Sequence, residues 1–367
     1  MVKILNKRLS TVFIQNNILQ GNQFAGLPHS STFEPIQILN DVIQDAKKEK
    51  KDLWILSQDL SKAYDHVNIH ILRKAMVRLR IPENFIELVL SLFTNRKNSV
   101  FTPDGNTDPY DVIIGIDQGE VISPLLWCIY YDPLLCEVES RSLGYNFQAS
   151  YKDNIYDLQS NIINQHISLM AYMDDTQWLS ESKDNLEKIL EIADDFYNFT
   201  DIQINKQKSE LLLRIQNPNF KYNDDIQLHF GNQQIAIKPV HPSQSIKEEV
   251  LKLALCMKYK RLTDKQMLYI YNSLIIPRIE YRSQITIFNK SESTSVIAPF
   301  RKIFKHKLHL ALFIPNAILN NNFIYTFRDL YELQLQSKIS NYNLQINSQG
   351  LLGIITDIRI RKLQHLL

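Results

Sequence analysis

At 367 residues the chain is long enough for two or three substructures and a sizeable buried core. Hydrophobic residues make up 44% and charged residues 22%, which excludes a disordered or fibrous chain, and the net charge of +2 gives no bulk nucleic-acid signal. Three cysteines without a CxxC pair argue against a disulfide framework or a zinc site, and no signal peptide or membrane span is evident, so the expectation is a soluble intracellular protein.

In chain order, residues 36–46 carry apolar positions at helical spacing and end in a run of lysines that suits the negative end of a helix dipole. That run is too short to count as a nuclear import signal, so nucleus and cytoplasm both stay open. Leu53 to Leu56 reads as a buried strand stopping at Asp59. Residues 69–93 read as helical with a break at Ile81-Pro82. Residues 99–102 and 110–116 read as two strands paired around a turn at Asp104-Gly105, and a helix is expected to start at Ser123-Pro124.

Ser168 to Tyr172, a turn at Asp174-Asp175, and Thr176 to Ser180 read as strand, acidic tip, strand. A helix over 184–200 and a strand over 210–215 follow. Beyond a boundary near Pro239 to Pro242 the reading is mostly helical, over 247–256, 264–274, 296–312 and 326–341. The expected class is α+β, with one domain over 1–238 and a helical region over 239–367.

Three acidic residues carry the candidate chemistry: Asp59 at a strand end and the adjacent Asp174 and Asp175 in a hairpin turn. Phosphoryl transfer by two magnesium ions needs hard anionic oxygens on rigid backbone, and carboxylates from two neighbouring strands meet that need. An isolated Asp-Asp pair is also ordinary turn chemistry. His66 and His70, four residues apart, have no third partner and read as surface or packing residues.

Four segments together extend this reading. Asp59-Leu60-Ser61-Lys62-Ala63-Tyr64-Asp65 resembles the first palm motif of non-LTR, LINE-type reverse transcriptases. Gln118-Gly119 followed by Ser123-Pro124 resembles their Gln-Gly…Ser-Pro motif, and Tyr172-Met173-Asp174-Asp175 is similar to their Tyr-x-Asp-Asp box. Asn205-Lys206-Gln207-Lys208-Ser209 resembles the Asn-x-x-Lys-(Ser/Thr) motif that follows.

The resemblance implies a right-hand polymerase fold with partial fingers, a palm sheet and a thumb-like helical region. It implies RNA-directed DNA polymerase activity on an RNA template and DNA primer, using dNTPs and two Mg2+ ions, with Mn2+ as a substitute. Asp59, Asp174 and Asp175 are then the metal ligands, and the backbone carbonyl of Leu60 completes one shell. Tyr64 matches the steric gate that excludes a 2′-hydroxyl, Gln118 and Gly119 line the nucleotide pocket, and Lys208 faces the leaving pyrophosphate. Basic clusters at Lys258, Lys260 and Arg261, and at Arg301, Lys302 and Lys305, are candidates for contact with a nucleic-acid backbone. A further pair, Arg96-Lys97, reads as a solvated face.

The chain departs from the family pattern at two places. An upstream Arg-Pro-Ile fingers segment and a Tyr-Leu-Gly primer-grip motif are not found, which points to part of a longer element with weakened nucleotide binding. Two other readings therefore stand beside the polymerase: a non-catalytic remnant that keeps the fold and binds nucleic acid, and a viral-type RNA polymerase. Tyr64 counts against the last, because RNA polymerases place an acidic residue at that step.

Overall fold

The computed structural model describes residues 1–28, 30–103, 105–152, 159–205, 208–217, 226–231, 233–237, 246–258, 260–282, 288–311, 313–320 and 325–364. The chain divides into two compact units, Met1–His241 with Ile358–Leu367, and Pro242–Asp357. The expected boundary at Pro239 to Pro242 lies outside the described residues.

Unit 1 opens with helices α1 (Val2–Gln15) and α2 (Phe33–Lys48), then strand β1 (Leu53–Gln58) and the two-residue β2 (Leu60–Ser61). A 3-10 turn over Ala63–His66 leads to α3 (Ile69–Arg78) and α4 (Glu83–Leu90). The Asn68 side chain caps α3 by accepting from the amides of His70 and Ile71, and Pro82 opens α4.

The next segment differs from the expected hairpin. It forms two nested ladders: β3 (Arg96–Asn98) pairs with β6 (Tyr110–Val112), and β4 (Phe101–Thr102) pairs with β5 (Gly105–Asn106). The reason is local. Arg96 donates to the carbonyls of Phe93, Ile114 and Gly115, which fixes the outer ladder three residues earlier than the apolar pattern suggests. Asp104, in the expected turn, lies outside the described residues.

Helix α5 (Ser123–Ser140) begins with Pro124 in its first turn and is the centre of the unit. Trp127, Tyr130 and Tyr131 on it are fully buried, and apolar residues cover every side of it. Helices of that kind belong inside a core rather than on its surface.

β7 (Tyr145–Tyr151) and β8 (Asn161–Ile167) form a hairpin; β9 (Leu169–Tyr172) and β10 (Asp175–Ser180) form another. Helix α6 (Lys183–Thr200) is capped by the Ser182 side chain. β11 (Gln203–Ile204), β12 (Glu210–Arg214), β13 (Ile226–Phe230) and β14 (Gln233–Ile237) complete the unit.

The main sheet is antiparallel in the order β12-β1-β10-β9. Leu53 to Leu56 of β1 are all buried, as a strand covered on both faces must be.

Unit 2 is helical. α7 (Ile246–Lys258) is followed by α8 (Asp264–Ile270), a π turn over Tyr271–Ile275 and α9 (Ile276–Arg282). Pro277 cannot donate to the carbonyl four residues back, and the helix widens just ahead of it. α10 (Lys290–Lys307) starts earlier and ends sooner than expected, because Asn289 and Glu292 form a capping box and the chain turns at Leu308. α11 (Asn316–Asn320) and α12 (Leu330–Asn347) follow. Tyr271, Phe300, Phe304 and Phe327 form an aromatic core, with the Tyr271–Phe327 centroids 4.5 Å apart. α13 (Leu351–Gln364) carries the chain back into unit 1. The α+β class expected from the sequence is observed. Among the described residues no helix is long and apolar enough to cross a membrane.

Candidate active site

The acidic residues meet through strand register. β1 pairs with β10 so that Gln58 stands opposite Thr176, which sets Asp59 and Asp175 at the same end of adjacent strands. Met173 and Asp174 form the two-residue loop between β9 and β10, where Asp175 pairs with Tyr172. Three carboxylates from two distant parts of the sequence therefore meet at one end of the sheet.

Electrostatics reports the same convergence. Burial pushes the Asp175 carboxyl above its usual range, and the charges of Asp174 and Asp59 push it the same way, with Lys208 opposing. The Lys208 ammonium lies 3.4 Å from the Asp59 carboxylate.

The supporting backbone is tightly tied. The Asn205 amide donates to the Asp59 carbonyl at 2.9 Å, and the Lys208 amide donates to the Asn205 carbonyl at 3.2 Å. β2 pairs Leu60 with Ile204, and the Leu60 side chain is buried. Lys206 and Gln207 lie outside the described residues.

Tyr64 sits in the 3-10 turn, with its ring 6.0 Å from that of Trp127 and its hydroxyl donating to the Met173 sulfur at 3.8 Å. Burial, then the charges of Cys128 and Asp174, pushes its hydroxyl up to about 12. The tyrosine thus stands beside the acidic tip as a neutral, half-buried ring.

Gln118 and Gly119 are exposed, and nothing lies within 4 Å of where a Cβ on Gly119 would be. Their loop hangs from the tyrosine turn through the Ile116 amide on the Tyr64 carbonyl and the Gly115 amide on the Val67 carbonyl, both 2.9 Å. Gly115 is required there: its φ is +87°, and a Cβ would meet the Asp65 carbonyl oxygen at 2.9 Å.

Among the described residues, no three His, Cys, Asp or Glu side chains are arrayed closely enough to hold a metal ion as they lie. The donor set nevertheless fits a divalent cation. It consists of hard carboxylate oxygens whose mutual repulsion a cation relieves, with a lysine now lying against one of them.

The basic residues of unit 2 divide. Lys258, Lys260, Arg261 and Lys302 are exposed. Arg301 and Lys305 are not surface groups, contrary to expectation: each is only 6% exposed. Lys305 donates to the Ile314 carbonyl at 2.6 Å and to Asn316 Oδ1 at 3.2 Å, and Arg301 faces Asp329 at 4.0 Å. They lie on the inward face of α10 among Phe300 and Phe304, so their charge closes the helical core instead of facing a nucleic acid. Arg96 likewise spends its guanidinium on loop carbonyls.

Several residues at the site were not singled out from the sequence. Gln23 donates to the Met173 carbonyl at 3.2 Å and accepts from the Met173 amide at 2.9 Å. Met173 has φ +59°, a left-handed conformation that costs a non-glycine residue about 1–2 kcal/mol. Asp132 and Glu139 on α5 hold the neighbouring segment: Asp132 accepts from the amides of Gln20 and Gly21, and Glu139 accepts from Asn22. The available signal was a charged residue, Asp132, in the most apolar stretch of the chain.

A family model described as reverse transcriptase (RNA-dependent DNA polymerase) matches residues 1–246. The Retrovirus-related Pol polyprotein from type-1 retrotransposable element R2 of Popillia japonica is 22% identical over 76% of this chain and 40% of its own length. The corresponding polyprotein from type-2 element R2DM of Drosophila melanogaster is 20% identical over 57% of this chain and 18% of its own. The Transposon TX1 149 kDa protein of Xenopus laevis is 22% identical over 58% and 15%. The chain thus spans 40% or less of the length of these three relatives. A solved telomerase from Candida albicans aligns with 98% of this chain and 54% of its own at 13% identity and a TM-score of 0.46.

Proposed function

The chain belongs to the reverse transcriptase family, and from that premise we propose that it is the polymerase part of a non-LTR retrotransposon protein, extending a DNA primer along an RNA template. The observation that carries the reading is the β1–β10 register, which sets Asp59 beside the Asp174-Asp175 tip with Tyr64 next to Asp174.

Asp59, Asp174 and Asp175 would hold the divalent ions that the family uses, with magnesium as the proposed metal. Held there by the three carboxylates, such ions would supply activation of the primer 3′-hydroxyl and offset charge on the departing pyrophosphate. The chain's own residues do the rest. Tyr64, neutral and half buried, presents a ring beside the acids that leaves no room for a ribose 2′-hydroxyl and so favours dNTPs. Gln118 and Gly119 give an exposed backbone for the incoming base pair. Lys208, already against Asp59, has the reach to swing toward a phosphate once cations take its place. Lys258, Lys260, Arg261 and Lys302 remain candidates for phosphate contacts.

Primer extension on an RNA template with dNTPs and Mg2+ tests this directly. The expected result is extension by the chain as given and a loss of at least about a hundredfold in Asp174→Asn. Equal behaviour of the two proteins would sink the catalytic reading and leave a fold that only binds nucleic acid.

A further inference from the structure

The acidic tip rests on a residue in a backbone conformation that its side chain disfavours. Met173 has φ +59°, the conformation that the first residue of a two-residue hairpin loop takes when a pair such as Tyr172–Asp175 closes it, and one that a side chain disfavours. A second hold on this residue comes from far upstream. Residues 22–24 run alongside β9 as an added strand: the Ala171 amide donates to the Asn22 carbonyl at 2.9 Å, and the Phe24 amide donates to the Ala171 carbonyl at 2.8 Å. Gln23 forms an isolated parallel bridge with Ala171, and its side chain reaches on to Met173.

There it makes two hydrogen bonds with a single residue, Oε1 accepting from the Met173 amide and Nε2 donating to the Met173 carbonyl. Only one orientation of the side-chain amide satisfies both. Its own backbone is anchored in turn, because Asn22 is held by Glu139 and the Gly21 amide by Asp132, both on the buried helix α5. On the other side, the Met173 sulfur accepts from the Tyr64 hydroxyl. The residue before Asp174 is therefore held at its backbone by the Gln23 side-chain amide and at its sulfur by the tyrosine.

We propose that Gln23 is a positioning residue of the polymerase centre, which clamps the Met173 backbone in its left-handed conformation and so fixes where the Asp174 and Asp175 carboxylates point. This rests on the reading of Asp59, Asp174 and Asp175 as that centre. Gln23 touches neither substrate nor metal in this role; it acts through the turn. An acceptor and a donor are both needed, which an amide supplies and a carboxylate or thioether does not.

The test uses the full chain with Gln23→Met, which keeps length and loses both hydrogen bonds, and Gln23→Glu, which keeps only an acceptor. Amide hydrogen exchange is read at residues 171–175, with β13–β14 as an internal reference. Exchange at the turn should rise about tenfold or more in Gln23→Met and less in Gln23→Glu, with the reference unchanged. In primer extension kcat should fall about tenfold to a hundredfold with the KM for dNTP held within about twofold, and Gln23→Glu should fall between Gln23→Met and wild type.

If Asp174→Asn is inactive while Gln23→Met matches wild type in both turn exchange and kcat, the positioning role is refuted and the centre stands. If Asp174→Asn extends as well as wild type, the centre itself is refuted. Turn exchange then still decides whether Gln23 clamps Met173. Should Gln23→Met not fold, the same exchange and kcat comparisons are made with Gln23→Glu.

Discussion

Glu139 shows how much one side chain on α5 carries. One of its oxygens accepts from the Asn22 side chain and from the amides of Ser168 and Leu169, tying the upstream segment to the start of β9. Burial nonetheless pushes its carboxyl up to about 7 from an ordinary value near 4.5, the three donors only partly opposing. The folded state therefore holds this proton more firmly than the unfolded chain does. Its contribution to stability is full below about pH 4.5 and is lost as pH rises through about 7, a difference on the order of 3 kcal/mol. Glu139→Gln keeps an oxygen for the same donors and cannot ionise. Urea midpoints should show the variant gaining on wild type between pH 5 and pH 8; parallel pH profiles would remove this account.

At the same scale, the candidate carboxylates were legible because their neighbours in sequence repeat a known pattern, and Tyr64 was legible beside Asp59. Gln23 was not, since a glutamine in a polar loop has no pattern of its own and its partner is 150 positions away. Arg301 and Lys305 were misread for a related reason. A basic run shows charge but not which face of a helix it falls on, and these two fall on the face that Phe300 and Phe304 bury.

Between elements, β10 is locked to the helices by a short chain of hydroxyls. Tyr131 of α5 hydrogen-bonds to Thr176 of β10 at 3.1 Å and to Tyr197 of α6 at 2.7 Å, all three in the core. Removing the central hydroxyl in Tyr131→Phe leaves two buried polar groups short of a partner and should cost about 1–3 kcal/mol in urea unfolding. The double variant Tyr131→Phe with Thr176→Val should recover part of that loss. A cost in the double variant equal to the sum of the two singles would mean the hydroxyls are not coupled.

The elements that sequence reveals are those with strong apolar signatures. β1 and β9 are near-continuous apolar runs, and α6 has a clean helical stripe. The β7–β8 hairpin escaped because β8 alternates poorly: Asn161, Ile162 and Asn164 are all exposed. The segment at 96–112 read as a single hairpin over 99–102 and 110–116 rather than two nested ladders, because contacts of Arg96, not a hydrophobic face, hold the outer register.

Across the whole chain the path enters unit 2 at residue 242 and returns to unit 1 at residue 358. The returning segment is held to α2 by charge. Arg359 pairs with Asp41 and Lys362 with Asp45, and both acids have almost no exposed side chain. Asp45 also accepts from the Tyr145 hydroxyl at 2.8 Å, and Lys362 lies 5.1 Å from the Phe147 ring centroid. Burial, then the Asp45 charge, drives the Tyr145 hydroxyl far above its usual range, so it remains a donor at any ordinary pH.

A buried carboxylate that loses its cation is costly, whereas loss of both charges can be near neutral. Lys362→Met should therefore destabilise unit 1 by about 3 kcal/mol. Asp45→Asn in the same chain should restore much of it, since the asparagine oxygen still accepts from Tyr145. Denaturant unfolding of the single and double variants measures the difference. If Lys362→Met alone unfolds like wild type, Asp45 is satisfied without the lysine.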